Sequence, residues 1–486
     1  MTLLTKMLPI LILLFVVTVV IMRLPKIDVG HDDRFRRRRV WNWLPLGLTY
    51  ALLYMGRYNL KVSKYAFEEM AGADGASLMA NADFGVIFGV GTIVYGISFL
   101  INGPLTDRFG GRFSILVGAG GALLMNLLMG LASLSLMNQG VGYEFLARNF
   151  VVVFSVLYAA NMYFQSFGAV AIVKVNASWF HVRERGVFGA IFGILISLGI
   201  YFAFDLGAKI LEGMGLAWVF LMPALLLGIF LLIDIALVRN EPKDAGLENF
   251  NTADASSGDT SPRLGAITVF KMMMRNPIIL TIAVIEFCSG FLRQAIMQWY
   301  GTFAKQTDAL LGLRSSFVNE NWGLLLCCAG ILGGVMAGTI SDHVFQSRRG
   351  PVAAVLYGLM LLGAIVLTFT YQQPYVGWLM VIMSMAVIGV HGMLSGTASM
   401  DFGGSKNVGI AVGIIDGFVY LGTAVMSFTY ALVLPGEQLD AAGHIAGPAT
   451  DPANWWPWPA AMIPMAAIGL ILATRVWNAK PQGKKA

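Results

Sequence analysis

Residues 103–112 read Gly-Pro-Leu-Thr-Asp-Arg-Phe-Gly-Gly-Arg, and residues 338–349 read Gly-Thr-Ile-Ser-Asp-His-Val-Phe-Gln-Ser-Arg-Arg. Each stretch follows the second apolar segment of a group of six. Asp107 and Asp342 stand 235 residues apart (342 − 107). Two arginines inside apolar segments, Arg57 and Arg293, stand 236 apart (293 − 57). Two independent features sharing one offset imply a duplicated chain, as transporter folds commonly show. A third pair, 186–199 (GVFGAIFGILISLG) against 409–422 (GIAVGIIDGFVYLG), aligns Gly186 with Gly409 and Gly199 with Gly422. Its offset is 223, so a shorter connection is expected in the second half.

The rest of the chain fits an all-α integral membrane protein. Of its 486 residues 57% are hydrophobic and 12% charged, against about 25% charged in soluble domains. The apolar residues fall in blocks of roughly 20, enough to span a bilayer core. The first block, near 3–22, is followed by Arg34, Arg36, Arg37, Arg38 and Arg39. It is long for a signal peptide and lacks a small-x-small cleavage site, so a retained anchor is expected. Twelve further spans run from 41–66 to 458–478. The hydrophilic stretch 239–275, rich in Asp, Ser, Thr and Gly, divides them six and six. The expected organisation is therefore an anchor and basic linker (1–40), a six-helix bundle (41–240), a linker (241–275) and a second, pseudo-symmetric bundle (276–486). Lys and Arg concentrate in loops bearing Arg36, Arg108, Arg185 and Lys243 and in the C-terminus, which are expected to be cytoplasmic. The opposite loops carry Glu68, Glu69, Asp74, Glu437 and Asp440, and Trp455, Trp456 and Trp458 open the last span from that side. The net charge of +6 thus reads as a topology signal rather than a nucleic-acid surface.

An arginine within a span costs several kcal/mol on most scales and normally faces a cavity or a partner. A pseudo-two-fold axis would carry Arg57 and Arg293 to similar depth in a central cavity. An anion held between two guanidinium forks is one resolution of their repulsion. An internal ion pair is the other, and Glu286, two turns before Arg293, is its contender. Tyr50 and Tyr54 share the face of Arg57. They read either as anion ligands or as aromatic packing. Glu286, His391 and Asp416 are candidates for proton coupling or for a counter-ion. Asp234 lies near a span end and reads as interfacial. Gly103, Asp107, Arg108, Gly110 and Arg112, with Asp342 in the second half, form a tight-loop motif whose glycines allow the turn. The motif suits a conformational switch rather than chemistry. Cys288, Cys327 and Cys328 have no metal-ligand spacing. No metal cluster, cofactor loop or nucleophile–base set is present in the sequence, and no enzymatic activity is expected.

The motif at 103–112 resembles the signature of the major facilitator superfamily. Residues 54–60 (YMGRYNL), 164–186 (FQSFGAVAIVKVNASWFHVRERG) and 291–300 (FLRQAIMQWY) are similar to segments of its organophosphate:phosphate antiporter branch, as is 242–247. The resemblance covers about 41–478. It implies exchange of a glycerol phosphate or sugar phosphate for inorganic phosphate by alternating access in a bacterial inner membrane. The expected agent is a monomer in the lipid bilayer with no nucleic-acid partner. It also implies that Arg57 and Arg293 bind the phosphoryl group, with Tyr54, Gln165 and Trp299 in the cavity. Tyr58 and Phe99 stand where the branch often carries lysine, and Glu286 stands at an uncharged position. Two other functions are consistent with the residues: a proton-coupled organic-anion symporter using Glu286, and a membrane receptor for a phosphate ester.

Overall fold

The computed structural model describes residues 19, 29–72, 75–181, 184–252, 265–345 and 349–478, with the side chains of 185–192, 266, 339, 342, 343 and 396–409 outside that description. The expected anchor at 3–22 and the side chains of Asp342 and Arg185 fall outside it. Twelve principal helices follow in order. The first half comprises α1 (Asp33–Phe67), α2 (Asn81–Phe109), α3 (Gly111–Asn138), α4 (Phe150–Ala177), α5 (Arg185–Tyr201) and α6 (Leu216–Leu237). The second comprises α7 (Pro277–Gln306), α8 (Trp322–Thr339), α9 (Arg349–Thr370), α10 (Val376–His391), α11 (Ser399–Val433) and α12 (Met462–Arg475). A π-helical turn, Phe202–Leu206, continues α5 into Gly207–Met214, and another, Gly392–Ala398, extends α10.

Ten helices among the described residues are long and apolar enough to cross a membrane, and α8 contributes a shorter apolar stretch, Trp322–Gly338. Helix α1 is not among the ten; it carries Arg57, Lys61 and Lys64 inside its span. The basic segment read as a linker is helical from Asp33, whose preceding residue Asp32 caps the end by accepting from the Phe35 amide at 2.7 Å. That segment is tied down: Arg39 pairs with Glu184 at 2.9 Å and Arg38 donates to the Leu237 carbonyl at 2.7 Å.

The halves meet chiefly along two seams, α2 against α11 and α5 against α8. A two-fold relation between the halves exchanges these seams, since α2 corresponds to α8 and α5 to α11. The correspondence reaches single atoms. A Cβ on Gly199 of α5 would stand 2.7 Å from the Ala51 carbonyl of α1; one on Gly422 of α11 would run into the Phe287 carbonyl of α7. Gly199 and Gly422 are the third repeated pair, and Ala51 and Phe287 differ by 236 (287 − 51), the offset of the arginines. Small residues let membrane helices approach to backbone contact. The α2–α11 seam is of this kind: a Cβ on Gly96 would lie 2.9 Å from the Gly417 carbonyl.

Candidate anion-binding site

Arg57, on the inner face of α1, is fully buried. Three of its nitrogens are engaged. Nε donates to Gln165 Oε1 (3.0 Å), Nη1 to the Tyr420 hydroxyl (2.7 Å) and Nη2 to the Tyr95 hydroxyl (2.6 Å). Its guanidinium also stands over the rings of Tyr54 (4.5 Å) and Tyr95 (4.4 Å), a cation–π arrangement. Gln165 is aimed by a ladder of amides: its Nε2 donates to Asn161 Oδ1 (3.1 Å), which also accepts from Asn126 Nδ2 (3.2 Å). Asn161 in turn donates to the Gly56 carbonyl at 2.9 Å. Tyr50 packs edge to face on Tyr54 at 5.2 Å and makes no described bond to Arg57.

Arg293, on α7, is 6% exposed, and its Nε and Nη2 are buried without a hydrogen-bond partner. The expected contender, Glu286, is not its partner. Glu286 Oε2 is 2.8 Å from His391 Nδ1 of α10, while Oε1 has no bond. Asp416 of α11 accepts from Ser395. The three coupling candidates thus lie on α7, α10 and α11 of one half. Tyr54, Tyr58 and Tyr420 lie within electrostatic reach of both guanidiniums. Tyr58 crosses to the other half, accepting from Gln294 Nε2 at 2.9 Å.

Trp299 lies six residues, about 9 Å of helix, beyond Arg293 on α7, not against Arg57. Its indole Nε1 is buried and unpartnered, and its ring packs on Phe84 and Tyr430. Beyond it the Glu437 end of the bundle is closed by charges. Lys64 bridges Glu68 (2.5 Å) and Glu437 (3.0 Å), and Lys305 bridges Glu68 (2.8 Å) and Glu69 (2.7 Å). Asn81 and Gln306 bond at 2.9 Å within the same cluster. The Asp205 carboxylate of the α5 extension accepts from the Gly323 (2.6 Å) and Leu324 (2.8 Å) amides at the start of α8. These contacts join the two halves.

The loop motif sits at the opposite end. Gly110 has φ +90°, a left-handed conformation that favours glycine. Asp107 Oδ1 pairs with Lys174 of α4 at 2.5 Å, and the Arg112 amide and guanidinium bond Asn240 and the Ile235 carbonyl, both at 2.8 Å. Arg108 stacks on Phe109, and Gly103 is buried in α2. These contacts lie within the first half. Asp234 also departs from its interfacial reading: it is fully buried and accepts from the Thr49 hydroxyl at 2.7 Å.

Sequence reasoning did not single out Tyr95, Tyr420, Lys61, Lys64 or Lys305. The lysines had a usable signal, since 57, 61 and 64 share one helix face. The tyrosines had a weaker one: a hydroxyl within a span needs a partner.

A sequence profile of the Major Facilitator Superfamily matches residues 33–427. The glycerol-3-phosphate transporter of Bacillus subtilis (strain 168) is 23% identical, covering 94% of this chain and 96% of its own. The membrane sensor protein UhpC of Escherichia coli (strain K12) is 26% identical over 83% and 88%. The probable hexose phosphate transport protein of Chlamydia pneumoniae is 23% identical over 82% and 84%. Among solved structures, a bacterial homolog of the human lysosomal transporter Spinster, inward-facing and unoccupied, aligns with a TM-score of 0.57 at 13% identity, over 92% of this chain and 98% of its own.

Proposed function

Because the chain belongs to the Major Facilitator Superfamily, and so is a multi-pass membrane transporter and not an enzyme, we propose that it exchanges a phosphorylated organic solute for inorganic phosphate by alternating access. The orphaned Arg293 guanidinium carries this reading. A buried donor without an acceptor costs about 1–3 kcal/mol, and more when charged. Arg293 Nε and Nη2 are two such donors, and a phosphoryl group supplies acceptors in the fork geometry that guanidinium prefers. The relatives named for glycerol phosphate and hexose phosphate support a phosphate ester as the cargo.

In this mechanism the anion lies between Arg57 and Arg293, and its charge lets the halves draw together around it. Tyr54, Tyr58 and Tyr420 hold the neutral rim, and Tyr420 exchanges its bond with Arg57 for one with the ligand. The excess of Lys and Arg in its loops supports a cytoplasmic Asp107 end and an outer Glu437 end. The structure then has its outer end closed by the Lys64–Glu437 and Asp205–α8 contacts, and outward opening breaks both. One chain supplies both arginines, so a monomer suffices. The test is radiolabelled phosphate uptake into proteoliposomes preloaded with glycerol 3-phosphate or a hexose 6-phosphate. Uptake that requires the internal ester supports exchange; uptake indifferent to it removes the reading.

The Glu286–His391 pair, with its unbonded carboxylate oxygen, favours a second reading, a proton-coupled organic-anion symporter. There Glu286→Gln abolishes accumulation driven by a pH gradient and leaves counterflow intact. Exchange insensitive to a pH gradient removes it.

A further inference from the structure

The inner face of α1 carries three cations in register, Arg57, Lys61 and Lys64. Positions four and three apart stack along one face. Their surroundings differ. Arg57 is bonded by Gln165, Tyr95 and Tyr420. Lys64 is ion-paired to Glu68 and Glu437. Lys61, the middle residue, is 1% exposed and has no carboxylate within ion-pair distance among the described residues. Its one described hydrogen bond goes to the Thr302 hydroxyl of α7. Its ammonium stands among the rings of Tyr65 (5.0 Å), Phe84 (5.2 Å) and Trp299 (5.9 Å). An ammonium offers three donors, so Thr302 leaves donors over. A second unused donor is close by, since the Trp299 indole Nε1 is buried without a partner.

We propose that Lys61 forms a second anion subsite, covered by Thr302 and Trp299 in this closed arrangement and used by a phosphoryl group or similar oxyanion approaching from the Glu437 end. This inference rests on the phosphate-exchange reading. Lys61 belongs to one half, and Trp299 and Thr302 belong to the other. The closing contacts Lys64–Glu437 and Asn81–Gln306 join the same two halves just beyond them. When those contacts part, α7 swings from α1 and takes Thr302 off the ammonium. An anion arriving from that end passes Lys64, which Glu68 still neutralises, and meets Lys61 as the first cation on this face without a carboxylate. Arg57 lies one turn deeper, about 6 Å along the helix. The subsite restores one positive charge to a cavity in which Tyr58 and Phe99 stand in place of lysines. When the outer end closes, Thr302 and the rings replace the departed anion, so the lysine contributes to capture from that end only. A buried lysine serving merely as an interface pin has no such sidedness.

The experiment measures KM for radiolabelled phosphate in right-side-out and inside-out membrane vesicles. Labelling of Asp440→Cys, an exposed position near Glu437, marks the Glu437 face. Lys61→Gln is expected to raise KM about tenfold at the Glu437 face, the loss of one charge-assisted contact, and to leave KM at the other face within about twofold. Lys61→Arg is expected to return the first value to within about threefold of wild type. An equal rise at both faces, a change in maximal rate alone, or no change overturns the subsite. Wild-type vesicles that move no phosphate from either face count instead against the exchange reading itself.

Discussion

Arg57 and Arg293 occupy equivalent places in the two halves, yet every nitrogen of one is bonded and two nitrogens of the other are not. Arg57 has three nitrogens bonded and the rings of Tyr54 and Tyr95 packed against it. Arg293 is nearly as enclosed and leaves two nitrogens without a partner. Duplication therefore preserved the position of the charge and not its company. In the proposed exchange the difference separates two tasks: Arg57 is a preorganised wall whose orientation is fixed by protein groups, and Arg293 is the group whose bonding the ligand would complete. Preorganising one partner of a clamp lowers the ordering cost of binding.

The largest effect that would break this comparison is on transport. Arg293→Lys keeps charge and loses the fork; exchange in proteoliposomes is expected to fall about a hundredfold, two charge-assisted bonds at about 1.5 kcal/mol each. Near-normal exchange in that variant sinks the clamp. Next, thermal unfolding in detergent should register the ligand. Phosphate at a hundred times its Kd stabilises wild type by about 2.7 kcal/mol, and this shift should vanish in Arg293→Gln. If it persists, phosphate binds elsewhere. The sharpest contrast lies in the ligand-free protein. Arg57→Gln leaves buried acceptors unmet and should lower stability by about 2 kcal/mol. Arg293→Gln removes an uncompensated buried charge and should raise it by about 1 kcal/mol. Shifts of the same sign would mean that the two surroundings are energetically alike. Tyr420→Phe, which frees one nitrogen of Arg57, should slow exchange about tenfold. Glu286→Gln should change pure exchange by less than about twofold, and a large loss there would instead support proton coupling.

The helical architecture was legible because bilayer length and apolar blocks are one-dimensional properties. The two arginines were legible because duplication leaves a constant offset. Their partners were not. The Arg57–Tyr420 bond joins residues 363 apart, and no local period encodes which of fifteen tyrosines faces a given charge. Glu286 illustrates the same limit: two turns on one helix suggested Arg293, whereas the bond goes across to His391 on α10. Lys64 and Lys305 were not singled out because their meeting with the glutamates depends on how α1, α7 and the 435–437 segment converge. Glu68 and Glu437, read only as markers of the outer side, are buried ion-pair acceptors.

The seam between α2 and α11 has a mechanical consequence. Where Gly96 faces the Gly417 carbonyl at 2.9 Å, and Gly413 the Phe99 carbonyl at 2.7 Å from its would-be Cβ, the two backbones touch directly beside the rings of Tyr95 and Phe99 that pack on Tyr420. Turning this joint moves backbone over backbone at the glycines, with no room for a side chain between them. A single methyl group is then enough to act as a brake. Gly96→Ala or Gly413→Ala would arrest the motion in one posture while leaving the cargo groups untouched, and such a stalled carrier would hold its cargo long enough for the occupied form to be caught.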